Sequence, residues 1–154
     1  MNLYLIRHAD AKSEQEDILR PLSENGLQEI KKVADHLSLL NLSIDQIFHS
    51  TKLRAKQTAD VLTEKLKPAK GISEAKDLSP QDDPRIWAER LNEVFDNIML
   101  VGHLPHLEML TSLLLSGDMD KDIVSFPTAG IACLERDDEG IWSLQWMITS
   151  EIIV

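Results

Sequence analysis

The stretch that decides the fold is LYLIRHAD, residues 3–10. Leu3, Tyr4, Leu5 and Ile6 are apolar without alternation, the pattern of a short strand buried on both faces. Such a strand should close on a turn residue. This one closes on Arg7 and His8, a permanent cation and a titratable imidazole. Two further runs repeat the arrangement: IDQIFHS (residues 44–50) ends on His49 and Ser50, and NIMLVGH (residues 97–103) ends on His103.

Helical periodicity fills the gaps between these runs. Residues 23–40 have Ser23 as a candidate N-cap and Leu27, Ile30, Val33, Ala34, Leu37 and Leu40 at helical spacing. Residues 53–66 carry Ala55, Thr58, Ala59, Leu62 and Leu66, with Pro68 as the stop. A third helix is expected around Trp87, Leu91, Val94 and Phe95. A fourth opens near Pro105, with Leu107, Leu110, Leu114 and Leu115 inward. Residues 68–84, including DLSPQDDP, read as loop. GIACLER, the turn DDEG and IWSLQWMI predict a C-terminal antiparallel hairpin on the sheet edge. Strands alternating with helices predict a layered α/β fold. With no internal repeat, low-complexity tract or linker, a single domain over residues 1–154 is expected.

Composition narrows the function classes. The 43% hydrophobic and 27% charged residues are ordinary for a globular chain. No apolar run approaches the roughly 20 residues that cross a bilayer, and the N-terminus lacks the order of a signal peptide. A single cysteine, Cys133, cannot form an internal disulfide, so a reducing, cytoplasmic setting is expected. Sixteen basic against 26 acidic residues give a net charge of -10. That balance argues against nucleic acid or an anionic membrane as partner.

Ligands of open α/β sheets bind outside the carboxyl ends of the parallel strands. If the three strands are parallel neighbours, Arg7-His8, His49-Ser50 and Gly102-His103 meet there. Arg54, in STKLRAKQT (residues 50–58), joins them from the first turn of the second helix. Two arginines and two histidines in one cleft of so acidic a chain call for an anion. A tetrahedral dianion fits, because guanidinium matches its oxygens bidentately and a helix N-terminus adds N–H donors.

Together LIRHAD, the SxxxRxxQT pattern of residues 50–58 and VGHLPH (residues 101–106) resemble the histidine phosphatase superfamily. The three blocks arrive in family order over most of the chain. Within it, the likeness is greatest to short SixA-type phosphohistidine phosphatases, through RHADA, RPLSENG, DLSP, GHLPH and PTAGIA. One departure is Ala9, where the superfamily usually has glycine. The resemblance implies a three-layer phosphoglycerate-mutase-like fold: a mostly parallel central sheet flanked by helices. It also implies that His8 takes the phosphoryl group, that Arg7 and Arg54 clamp its oxygens, and that His103 stabilises developing charge. Ser50 reads most simply as a capping group, and its place beside the site makes it a candidate to touch phosphate. Asp17, a few positions before Arg20-Pro21, is a candidate for activating water. Arg20 is a candidate for holding its loop or touching substrate.

Many superfamily members protonate an alcohol leaving group with a carboxylic acid from a Leu-x-Glu context. Here the comparable place reads Leu78-Ser79-Pro80. Losing that acid would cost ~10²–10⁴-fold on alkyl esters. A phosphohistidine avoids the cost, since its P–N bond breaks to an imidazole whose other nitrogen can already carry a proton. Asp10, Glu16, Asp17, Asp77, Asp82 and Asp83 remain as carboxylates able to swing in. The expected substrate is a phosphohistidine on a protein, such as a phosphotransfer domain of a signalling relay, with inorganic phosphate as product. The enzyme is expected to be a monomer without cofactor or metal. A small-ester phosphatase or mutase, and a non-catalytic phospho-ligand module disabled by Ala9, stay open.

Plainer readings stand beside these. Arg7 and His8 could merely end an edge strand in solvent, and only Arg54 and His103 at matching tips outweigh that. His103 and His106 lie three apart, but no cysteine or acidic partner completes a metal set. His106 reads as a helix-start residue on the rim, and His36 and His49 as structural or exposed. Gln57 reads as a brace for Arg54 or the first loop, Thr58 as helix packing, Cys133 as core. Trp87, Trp142 and Trp146 read as core or hairpin packing.

Overall fold

In the computed structural model, which describes residues 1–154, the LYLI run lies in β1 (Asn2–Arg7) of a six-stranded sheet. The other strands are β2 (Gln46–His49), β3 (Ile72–Glu74), β4 (Ile98–Gly102), β5 (Ile131–Arg136) and β6 (Trp142–Ile148). Their order is β3-β2-β4-β1-β5-β6. The first four strands in chain order run parallel, while β5 and β6 are antiparallel to their neighbours. The expected C-terminal hairpin is therefore present, with β6 on the outer edge.

The unbroken apolar run of β1 is explained by its two covered faces. Tyr4 and Ile6 pack with Ile30, Val33, Ala34 and Leu37 of α1 (Glu24–Ser38) and with Ala55, Ala59 and Leu62 of α2 (Leu53–Leu66). Leu3 and Leu5 pack on the opposite face with Trp87 of α3 (Pro84–Arg90) and with Leu107 and Leu110 of α4 (His106–Ser116). Strand residues alternate between faces, so each face receives two of the four side chains. Removing about 25 cal/mol of unfavourable hydration per Å² on both sides makes this strand the hub of both cores.

Caps set the helix bounds. Ser23 Oγ accepts from the Gly26 amide at 3.0 Å, opening α1 as the sequence predicts. Asp83 caps α3 by accepting from the Arg85 amide at 2.9 Å, with Pro84 in the first turn. Gly26 is required by a close approach. A Cβ there would lie 2.0 Å from the Asp10 carbonyl oxygen, so the first turn of α1 presses directly on the segment leaving β1.

Three expectations differ from the structure. Residues 68–84 contain β3, three residues with none buried; backbone pairing to β2 makes it a strand, and no side-chain pattern announces it. The third helix ends at Arg90 and tightens into a 3₁₀ turn, Leu91–Glu93. Phe95 therefore falls beyond the periodic stretch and is 79% exposed, with the Arg136 guanidinium 5.6 Å from its ring. Leu40 likewise lies past the end of α1 and is exposed.

Candidate active site

Sheet order settles what the strand tips share. β2, β4 and β1 are adjacent and parallel, with Arg7 opposite Gly102 and His49 opposite Val101. One residue further on, the His8 amide donates to Gly102 O at 3.0 Å and the Ser50 amide to Val101 O at 3.1 Å. His8, Ser50 and His103 thus emerge at one edge of the sheet. The His8 and His103 rings sit 4.9 Å apart between centroids, and Ser50 Oγ lies 2.5 Å from His103 Nε2. Arg54 arrives as the second residue of α2, whose amides at Leu53 and Arg54 are unpaired first-turn donors.

Hydrogen bonding assigns the tautomer of His8. Its Nδ1 is 2.7 Å from the Ala9 carbonyl oxygen. A carbonyl can only accept, so Nδ1 carries the proton and Nε2 keeps its lone pair. Burial holds the ring neutral, lowering its pKa from 6.5 to about 4, and the charges of Arg54, Arg7 and Arg20 push the same way. Sequence reasoning credited the cations; desolvation is the larger cause. His103 is also driven down, by burial first and then by His8, Arg54 and Lys52. Ser50 Oγ already accepts from the Lys52 amide at 3.2 Å, so its hydroxyl proton is free for His103 Nε2.

The arginines are held by their backbones and leave donors unused. Arg7 Nη1 donates to Phe126 O at 3.0 Å, and the Phe126 amide donates to Glu108 Oε2 at 3.0 Å. The Arg7 amide donates to Gly130 O, and Ala129, in a left-handed conformation at φ 57°, returns its amide to Arg7 O. Arg7 Nε, Arg54 Nε and His103 Nδ1 are buried without a partner. None of the five ion pairs involves Arg7, Arg20 or Arg54. Unpaired buried donors are costly, about 1–3 kcal/mol each. Arginine charges that reach His8 and are met by no carboxylate ion pair give the site the electrostatics of an anion receptor.

Arg20 enters the same field. Its Nε donates to Lys12 O at 3.0 Å, which holds the loop, and its charge lowers the pKa of both His8 and Arg54. For Arg54 burial is the larger cause, and Glu14 opposes both. Gln57 braces the first loop, its Oε1 accepting from the Leu22 amide at 2.7 Å. Thr58 goes beyond packing: Oγ1 accepts from the Ala9 amide at 3.1 Å and donates to Arg54 O at 2.8 Å, tying the two site segments together. Ala9 is fully buried within the α1–α2 core. His106 is not on the rim: it is completely buried, with neither ring nitrogen bonded. Cys133 is core, its thiol raised to about 11 by burial.

Six nearby carboxylates already have partners, while Glu14 lines the cleft beside Arg54. Asp10 Oδ2 accepts from Ser23 Oγ at 2.6 Å, and Glu16 Oε1 from the Ser13 amide and hydroxyl at 3.1 Å each. Asp17 Oδ1 accepts from the Leu19 amide at 3.0 Å, closing a local turn. Asp77 pairs with Arg90 at 2.5 Å, Asp82 accepts from the Ser79 amide at 2.9 Å, and Asp83 pairs with Arg85 at 2.9 Å. No set of three or more His, Cys, Asp or Glu side chains converges as metal ligands, and no helix is long and apolar enough to cross a membrane.

Three buried histidines with lowered pKa values set an acid limit on stability. Between the unfolded value of 6.5 and the folded value of about 4 for His8, the unfolded chain binds more protons. Stability therefore rises with pH across that window and is lost on acidification. His8 alone should account for about 2 kcal/mol between roughly pH 7 and pH 5, and His103 and His106 shift in the same direction. Urea midpoints at those two pH values check this; equal midpoints contradict it.

Comparison with known proteins agrees with this geometry. Phosphohistidine phosphatase SixA of Escherichia coli (strain K12) is 27% identical over 154 residues, covering 97% of this chain and 94% of that protein. The solved structure of the protein histidine phosphatase SixA complexed with tungstate superposes with a TM-score of 0.85 at 26% identity, over 97% of both chains. The fold alone is shared with the alpha-ribazole phosphatase of Shigella flexneri, at a TM-score of 0.80, 15% identity and 97% of both chains. The family model for the histidine phosphatase superfamily (branch 1) matches residues 3–80. That region carries Arg7, His8 and Arg54, so the likeness falls on the cationic end of the sheet, and the chain belongs to the histidine phosphatase superfamily.

Proposed function

We propose that this phosphatase removes phosphate from a histidine displayed on another protein, in two steps at His8. His8 Nε2 attacks phosphorus as the P–N bond to the substrate imidazole breaks. That imidazole leaves with the bonding pair, near neutral when its other nitrogen already carries a proton. Water then attacks the phosphorus of phospho-His8; its P–N bond breaks, His8 recovers its lone pair and inorganic phosphate departs. Arg7 and Arg54 clamp the phosphoryl oxygens, and His103, engaged by Ser50 at Nε2, offers Nδ1–H to the same oxygens. Phosphoryl transfer depends mainly on such positioning and charge stabilisation. Arg20 adds to the field and shapes the loop, and Asp17 contributes by turning that loop. The guanidinium and imidazole groups take the charge-neutralising part, so the reaction needs no metal or cofactor. All of residues 1–154 act as one domain, in a cytoplasmic monomer.

The observation that carries this reading is that Asp10, Glu16, Asp17, Asp77, Asp82 and Asp83 are each already hydrogen-bonded or ion-paired, and that Glu14, the one acid lining the cleft, lies in the field of the Arg54 guanidinium. An alkoxide leaving group needs a proton donor, and a protonated phosphohistidine does not. The test is a side-by-side assay on a phosphohistidine-bearing protein and a panel of sugar phosphates, with and without chelator. The expected kcat/KM on the phosphoprotein exceeds that on any alkyl ester by ~10²-fold or more, and chelator leaves it unchanged. Faster turnover of a sugar phosphate or phosphoglycerate overturns the reading in favour of small esters. Vanadate binding without turnover of any substrate overturns it in favour of a binding module.

A further inference from the structure

The loop between β1 and α1 is built more firmly than its irregular sequence implies. Ala11 and Leu22 form an antiparallel bridge at its base, and the Lys12 amide donates to Pro21 O at 2.8 Å. Asp17 receives the Leu19 amide, Arg20 reaches back to Lys12 O, and Gln57 ties Leu22 to α2. This scaffold holds outward two aliphatic side chains, Ile18 at 85% and Leu19 at 67% exposure. Leu39 and Phe95, also strongly exposed, precede β2 and β4 at the opposite end of the sheet, and Ile152 follows β6.

Ile18 and Leu19 share one open cleft of about 420 Å³ with Leu53, Arg20, Lys52 and Arg54. The apolar wall thus adjoins Arg54, the one member of the proposed catalytic set that lines this cleft. The three basic groups belong to no ion pair, and Glu14 is the one acid lining the cleft. A bare phosphohistidine has little apolar surface, a methylene and a ring face, to place against two aliphatic side chains. A protein surface offers more, and hydrophobic contact rewards a partner with such surface.

We propose that Ile18 and Leu19 form a docking lip for the protein that carries the phosphohistidine, a proposal that rests on the function given above. The partner is a protein face on which aliphatic or aromatic side chains flank the phosphohistidine, with acidic groups placed to meet Lys52 and Arg20. The phosphate enters between Arg7 and Arg54, and the apolar flank closes on Ile18 and Leu19. Because the loop is already ordered by its own hydrogen bonds, docking loses little conformational entropy.

The test compares two probes: a helical phosphotransfer domain phosphorylated on its histidine, and the free phosphohistidine amino acid. The wild-type enzyme should favour the domain in kcat/KM. In the double variant Ile18→Ser/Leu19→Ser, kcat/KM on the domain should fall by about tenfold or more, with free phosphohistidine turned over as before. Ile18→Val/Leu19→Met, which keeps the lip apolar, should retain the wild-type preference. Equal rates for wild type and the serine variant on the domain overturn the lip, as does a parallel fall on both probes, which would make the tip a support for the cations. Turnover of the free amino acid by the wild type upholds the phosphohistidine reading in each of those cases. A wild type inactive on both probes overturns the two together.

Discussion

Replacing His8 by alanine should abolish turnover on every substrate, with kcat falling by at least about 10⁴-fold, as expected when a covalent nucleophile is removed. Neither the hydroxyl nor the thiol that could stand in for it is free to do so. Ser50 is committed to His103 and the Lys52 amide, and Cys133 is buried with its thiol held protonated. The variant should fold, since the lost ring makes one hydrogen bond, to the adjacent Ala9 carbonyl. It should also lose less stability on acidification, because one of the three buried-histidine contributions is gone. Substantial activity in His8→Ala would remove the basis of the proposed mechanism.

Arg54→Ala and His103→Ala should each lower kcat by about 10²–10³, or ~3–4 kcal/mol of transition-state stabilisation, by analogy with single oxyanion donors. In the proposed mechanism each contributes a donor to the phosphoryl oxygens in the transition state. Activity should therefore fall in kcat and kcat/KM together rather than through KM alone. Arg54→Lys should recover only part of the loss, because an ammonium cannot reproduce the planar two-pronged contact. Vanadate affinity should weaken in parallel. A KM-only defect in Arg54→Ala would make that residue a docking group, not a clamp.

Much of this was legible in the chain because it is local. LYLI announces a doubly covered strand, and α2 spans the residues its apolar spacing predicts. Each strand tip shows its polar residue in sequence, and the alternation of strands and helices implies that the tips meet. Longer-range contacts leave no such trace. Arg7 is anchored by Phe126, 119 residues away, and that contact is in turn fixed by Glu108, 18 residues from Phe126. β3 is a strand by backbone pairing alone. His106 looks like a rim residue because polarity stands out in sequence, whereas its burial is decided by the packing of α4. Asp17 could be singled out by position, yet its carboxylate is taken by an amide two residues on.

The most direct test of the account is to quench the enzyme with alkali during turnover of a phosphohistidine protein and map the phosphate on the polypeptide. The phosphoryl group should be found on the ring of His8, accumulate in a single turnover and decay as inorganic phosphate appears. Phosphate on any other residue, or full turnover with no phosphoenzyme formed at any time, would contradict it.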